Sequence, residues 1–319
     1  MIRKVLLVIP LAGCWFGCSP QTVPLPSKDA LSLALTALAF DNQITCEDLR
    51  NLFDIEYLQP VETPDQIGLD FEQLWLPTVD GNFIRVWRLP TQLDRGLVVL
   101  SGGSVGSMPC YLFVAKLLVD DGWSVVMSDY RGFGASSGIP DLDTLPDDLE
   151  LVLDWALERT GREHATLMGI SLGSIPTVAV AVRRPEAVNG VVLDSPVALG
   201  EMIKRLDFAF SSTQDVIDLL DAQLNTQRII SNLTAPVLMY SGGKDVLTPP
   251  AATELLFAGA AGPKRLVRFP ELRHARGPYF ATGTYTFELE RFLSSVWEQS
   301  VDFTLQLSRD AGVTPGVEP

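Results

Sequence analysis

In Gly169-Ile170-Ser171-Leu172-Gly173 a serine stands between two glycines, directly after the apolar run from Ala165 to Met168. This is the G-x-S-x-G spacing of a nucleophile elbow. A serine on so tight a strand-to-helix turn takes strained backbone angles, and side chains two positions either side would collide. Glycine at 169 and 173 removes those collisions. The hydroxyl is then raised above a sheet edge with a helix N-terminus beneath it, which favours developing negative charge. Residues Ile175 to Val182 supply that helix, with Pro176 in the first turn, where proline is tolerated. The chemistry available is attack on an acyl carbon, provided a base takes the proton.

The chain holds two histidines, His164 and His274. His164 opens the elbow strand, at the end of the sheet opposite Ser171, and reads as a surface residue. His274 follows the last apolar strand, where a loop at the C-terminal edge of a sheet is expected, and such loops assemble sites in α/β folds. His274 is therefore the expected base. Asp245, leaving a strand in Ser241-Gly242-Gly243-Lys244-Asp245 on the same edge, is the expected acid that fixes the imidazole tautomer. Asp194, at the end of the preceding strand, is the alternative. A tetrahedral intermediate needs two N–H donors, expected from Leu172 and Gly103, with Ser104 as the alternative to Gly103. No cofactor is implied, and with no C-x-x-C and no Cys/His cluster a zinc site is not expected.

The elements that must position these groups alternate. Phe71 to Leu89 alternates in hydrophobicity about Asp80-Gly81-Asn82, a hairpin signal. Strands are expected at Arg95–Leu100, Trp123–Ser128, the elbow, Val188–Leu193, Pro236–Tyr240 and Arg265–Phe269. Helices are expected at Leu142–Glu158, after the elbow, and at Phe280–Val296. That rhythm implies a mainly parallel sheet with helices on both faces. Residues 197–234 lack a strand and read as a small helical insertion (cap) over the site. Met202, Leu206, Phe208 and Phe210 are its apolar candidates, read as packing it on the body. Asp129 reads as a brace of its own loop. Asp141, Asp143, Asp147 and Asp148 lack a calcium-loop pattern and place negative charge in the first turn of a helix. Ser241 to Lys244 spells S-x-x-K but leaves a strand instead of opening a helix.

Taken together, these tags resemble an α/β-hydrolase of the serine-aminopeptidase and monoglyceride-lipase-like group. They are the elbow, Asp129-Tyr130-Arg131-Gly132-Phe133-Gly134-Ala135-Ser136-Ser137-Gly138, and Gly243-Lys244-Asp245 with Pro249 behind it, in the chain order Ser, Asp, His. The resemblance spans 70–298 and implies an α/β-hydrolase fold and a serine hydrolase acting on a small-molecule acyl substrate. Esters lead, with peptides or thioesters as the alternative on the same residues. One departure stands out: Ser101-Gly102 replaces the His-Gly usual in that group. It motivates a second alternative, a non-catalytic binding protein on the same scaffold.

Composition bounds the rest. At 319 residues and 47% hydrophobic, the chain can bury a substantial core, and its formal net charge of −15 argues against nucleic acid as a partner. Arg3 and Lys4 precede an apolar stretch too short to span a bilayer, ending in Leu11-Ala12-Gly13-Cys14. This resembles the lipobox of bacterial lipoproteins. It implies a signal peptide at 1–13, lipidation of Cys14, and a chain held at the bacterial cell envelope, on the outer membrane in a Gram-negative host. Residues 14–28 then read as a tether, 29–69 as a helical extension and 299–319 as a loose tail. Cys18, Cys46 and Cys110 remain; one disulfide is permitted there, and which of them pair stays open.

Overall fold

Leu97-Val98-Val99-Leu100 is apolar at every position, so both faces of its strand must be covered. The computed structural model supplies that cover. It describes residues 46, 61–104, 106–204, 213–219 and 222–297. The expected leader, Cys14, the tether, Cys18, the helical extension expected over 29–69 as far as residue 60 (Cys46 apart), Leu206, Phe208, Phe210 and the tail from 299 lie outside the described residues.

Eight strands form one sheet: β1 (Glu72–Pro77), β2 (Phe83–Leu89), β3 (Gly96–Ser101), β4 (Trp123–Ser128), β5 (Ala165–Ile170), β6 (Val188–Asp194), β7 (Val237–Gly242) and β8 (Lys264–Phe269). Their order is β1-β2-β4-β3-β5-β6-β7-β8. β1 and β2 form the antiparallel hairpin, β2 runs antiparallel to β4, and every pairing from β4 to β8 is parallel. Parallel strands need crossovers, and helices α1 (Leu112–Asp120), α2 (Leu145–Thr160), α3 (Ser174–Arg183) and α4 (Pro250–Gly259) lie in them, while α5 (Thr282–Trp297) follows the last strand. Alternation along each strand sorts the core into two layers. Leu97, Val99 and Leu167 pack with α2, α3 and α4, through Leu149, Val152, Val178 and Leu256. Val98, Leu100 and Met168 pack with α1 and α5, through Leu112, Leu118, Leu289 and Phe292. All the loops leaving β4 to β8 therefore gather at one edge.

Two local departures have physical reasons. The closing helix begins at Thr282, because Ala281 leaves helical geometry (φ −136, ψ 40) and ends a separate short turn, Gly277–Phe280. In the insertion, the residues that pack on the body are Leu199, Ile203, Ile217 and Leu224, against Phe133, Leu142, Leu172 and Ile175. Met202, expected among them, is 39% exposed, on the outer side of the turn that buries Leu199 and Ile203.

Charge pairs hold the rim. Arg131 and Asp148 are both buried; the guanidinium meets both Asp148 carboxylate oxygens at 2.7–3.0 Å and also donates to Asp80 of the hairpin turn at 2.5 Å. Asp148, in the first turn of α2, thus does more than favour a helix terminus: it holds Arg131, which ties the β4 loop to the hairpin turn through Asp80.

Candidate active site

Ser171 carries φ +52, a left-handed angle that few non-glycine residues adopt. The flanking glycines make it feasible. A Cβ on Gly169 would lie 2.5 Å from the Gly173 carbonyl oxygen, and one on Gly173 would lie 2.5 Å from that of Gly102 and against that of Ser101. Strand, turn and helix can approach this closely only without those side chains. The Ser174 hydroxyl donates to the Ser171 carbonyl at 2.6 Å and accepts the Val197 N–H at 2.8 Å, fixing the turn from below. Ser171 itself opens a single 3₁₀ turn, Ser171–Gly173, that runs directly into α3.

Three separate loops meet over that hydroxyl. His274 Nε2 lies 2.8 Å from Ser171 Oγ, and His274 Nδ1 lies 2.8 Å from Asp245 Oδ2. A carboxylate only accepts, so Nδ1 carries the proton and Nε2 is left to accept from the serine. Asp245 is 4% exposed and His274 9%. Burial alone would raise the Asp245 carboxyl; the bond and charge of His274, with the Thr248 N–H and hydroxyl, outweigh it and hold the carboxyl below its usual range. Asp245 Oδ1 accepts the Leu247 and Thr248 N–H groups at 2.9 Å each, and the Thr248 hydroxyl donates to Oδ2 at 2.8 Å. Every lone pair facing inward is thereby engaged in holding one orientation. His164 is far from this line, at the start of β5, with its ring 5.0 Å from that of Trp297. Asp194 does not touch His274; it bonds to Ser195 and Tyr285.

The expected oxyanion donors flank the serine. Leu172 follows it in the turn, and a Cβ on Gly103 would stand 3.5 Å from Ser171 Cβ. Gly103 has a second neighbour, because its backbone is hydrogen-bonded to the Tyr111 phenol, which burial pushes up and this bond pulls down. An incoming carbonyl oxygen must compete with that phenol for Gly103.

A profile of the alpha/beta hydrolase fold matches residues 96–284. The chain belongs to the alpha/beta hydrolase fold family. An uncharacterized protein of Mycobacterium tuberculosis, MT2364, is 30% identical over 82% of this chain and 94% of its own length. The Arabidopsis thaliana alpha/beta hydrolase domain-containing protein WAV2 is 26% identical over 66% of this chain and 75% of that protein. Among solved structures, the Pyrococcus furiosus esterase Pf2001 superposes with a TM-score of 0.62 at 16% identity, over 75% of this chain and 98% of that one. An Exiguobacterium antarcticum esterase does so at 0.55 and 18% identity, over 70% of this chain and all of that one.

In this alpha/beta hydrolase the sequence reading missed the residues that brace the Gly102–Gly103 loop. The Tyr130 hydroxyl donates to the Gly102 carbonyl at 2.6 Å, and the Tyr111 ring lies over Gly102 and Gly103, within 2.9 Å of where a Gly102 Cβ would be. Two tyrosines thus support the segment in which the resemblance placed a histidine. Tyr130 lies inside the Asp129 to Gly138 string directly after β4, where a residue near the site is expected; no sequence pattern marks Tyr111. Asp129 braces more than its own loop. It accepts the Ala135 N–H at 3.4 Å and the Met108 N–H at 2.7 Å, which orders the turn Met108–Tyr111. Burial raises its carboxyl, against those bonds and the Arg85 charge. Cys110 in that turn is joined to Cys46 with Cα atoms 5.0 Å apart, so these are the two cysteines that pair. Lys244 of the S-x-x-K string pairs with Glu271, outside the hydrogen-bonded line. Among the described residues, no group of three His, Cys, Asp or Glu side chains is placed to hold a metal.

Proposed function

We propose that this protein is a serine hydrolase that cleaves an acyl ester, in the manner of a carboxylesterase or lipase, through a covalent acyl-enzyme. The observation that carries the reading is the continuous line from Ser171 Oγ through His274 to Asp245, with both links at 2.8 Å. Ser171 Oγ bonds to the acyl carbon as its proton moves to His274 Nε2. The Leu172 and Gly103 N–H groups bind the oxyanion, and Asp245 stabilises the imidazolium. The intermediate collapses as Nε2 returns the proton to the departing alcohol. Water then gives a proton to Nε2, attacks the acyl-enzyme and releases the carboxylic acid, and Ser171 regains its proton.

A panel of matched p-nitrophenyl esters, anilides and thioesters tests it. Turnover fastest on esters, with a burst matching one site per chain, is expected. Faster turnover of anilides or thioesters would reassign the substrate to the peptidase or thioesterase alternative. No turnover of any would favour a binding protein.

The lipobox-like Leu11-Ala12-Gly13-Cys14 supports a lipid-anchored location at the cell envelope for this activity. Cys14→Ser is expected to move the protein from the membrane to the soluble fraction in its bacterial host. Unchanged membrane retention would refute an anchor at that cysteine.

A further inference from the structure

Asp194 ends β6 next to β7, whose following loop carries Asp245, and is 2% exposed, yet it takes no part in the Ser171–His274–Asp245 line. Its two oxygens accept from the Ser195 hydroxyl and the Tyr285 hydroxyl, each at 3.1 Å. The Ser195 oxygen in turn accepts the N–H of Ala275, at 2.9 Å, and Ala275 is the residue directly after His274. Ser195 is held from two further sides. Its N–H donates to the Tyr240 carbonyl at 3.0 Å, and its carbonyl lies 3.1 Å from the Thr248 hydroxyl, which also touches Asp245 and His274. Tyr285 is anchored as well, its carbonyl accepting from the Tyr240 hydroxyl at 2.8 Å.

Both ends of this chain of bonds have a backbone that non-glycine residues disfavour: φ is +51 at Ser195 and +49 at Ala275. Such angles persist only where the surroundings hold them. The bond to Asp245 fixes one corner of the imidazole, but a ring held at one corner can still pivot about that contact. Fixing the peptide that follows holds the backbone from which that ring projects. We propose that Asp194, through Ser195 and with Tyr285 behind it, is a positioning residue: it holds the Ala275 amide and thereby the direction in which His274 presents Nε2 to Ser171. This rests on the serine-hydrolase reading given above.

The charge on Asp194 belongs to the same device. His274, Asp245, Tyr240, Tyr285 and Ser195 face it, with the Arg265–Glu288 pair beyond Tyr240. Burial raises its carboxyl to about 6; the Ser195 and Tyr285 hydroxyls and the His274 charge oppose that, and Asp245 adds to it. Above that pH, Asp194 is a second anion behind the imidazolium.

The test is kinetic, on full-length protein with a p-nitrophenyl ester and a fluorophosphonate probe. Ser195→Ala deletes only the bridging hydroxyl; kcat and the rate of labelling at Ser171 are expected to fall together by about 10- to 100-fold, with KM within about twofold. Asp194→Asn is expected to lower kcat comparably and to remove from the acidic limb of the kcat/KM profile the step at about 6 that the Asp194 carboxyl itself contributes. A residue that merely supports the fold would shift the melting temperature and leave the limb in place. If Asp194→Asn does not fold, the kcat-against-KM split of Ser195→Ala decides alone. Active wild-type protein with both variants folded, equally fast and unshifted overturns this inference and leaves the proposed function standing. Wild-type protein that neither turns over esters nor is labelled at Ser171 overturns both.

Discussion

Ser171→Ala is expected to lower kcat/KM on an ester substrate by about 10⁴- to 10⁶-fold, which is about 5 to 8 kcal/mol of transition-state stabilisation. On the proposed mechanism the substitution removes the atom that bonds to the acyl carbon and leaves His274, Asp245 and both proposed oxyanion donors in place. Whatever rate remains measures water attack aided by those donors. Folding is not expected to suffer, because alanine tolerates φ +52 no better and no worse than serine does. Ser171→Gly sharpens the point. It is equally inactive, but it relieves the left-handed angle and is expected to raise stability by about 1 kcal/mol, read as a higher denaturation midpoint. Loss of activity together with gain of stability separates a strained nucleophile from a turn residue that merely holds the loop. A Ser171→Ala variant with more than a tenth of wild-type activity would mean that another group attacks.

The second large effect is expected at the acid. Asp245→Asn should reduce kcat by about 10⁴-fold with KM little changed. The amide that replaces Oδ2 cannot be relied on to accept from Nδ1–H; if its NH₂ faces the ring, the imidazole must adopt the other tautomer, with Nε2 protonated and unable to take the serine proton. Asp194→Asn changes a carboxylate of the same rim without touching the ring, so its smaller loss discriminates between the two acids. Asp245 also sets a stability window. Its folded-state carboxyl is depressed, so its contribution is fully present above the ordinary carboxylate range and is lost as pH falls through the depressed value. Melting temperature followed on acidification should therefore drop less steeply in Asp245→Asn than in wild-type protein. An equal acid dependence in the two would place the charge elsewhere.

Much of this site was legible before any coordinates, for a steric reason. The elbow admits little at 169 and 173 besides glycine, so its spacing announces the strand, the turn and the helix together. The strands read well because a doubly covered parallel strand is apolar throughout, and β3, β5 and β7 are buried at every position. Helix α1 carried no comparable signal: Leu112 to Asp120 is apolar on most sides, and Tyr111 before it offers no capping hydrogen bond. Helix α4 opens on Pro250 directly after Pro249, a pair that reads as a loop although the first turn accepts proline. The Asp194–Ser195–Ala275 linkage was illegible in principle, because it joins a strand end to a peptide N–H some eighty positions later, through a hydroxyl with no motif of its own. The same holds for Tyr111, whose ring reaches Gly102 from a turn that is also tied to Asp129 and, through Cys110, to Cys46.

Intact-protein and peptide mass spectrometry after brief exposure to a fluorophosphonate addresses the central claim most directly. One phosphonyl group per chain is expected, on the peptide containing Ser171, absent from Ser171→Ala and formed far more slowly in His274→Ala. Wild-type protein that stays unmodified while correctly folded, or that carries the group on any other residue, would contradict it.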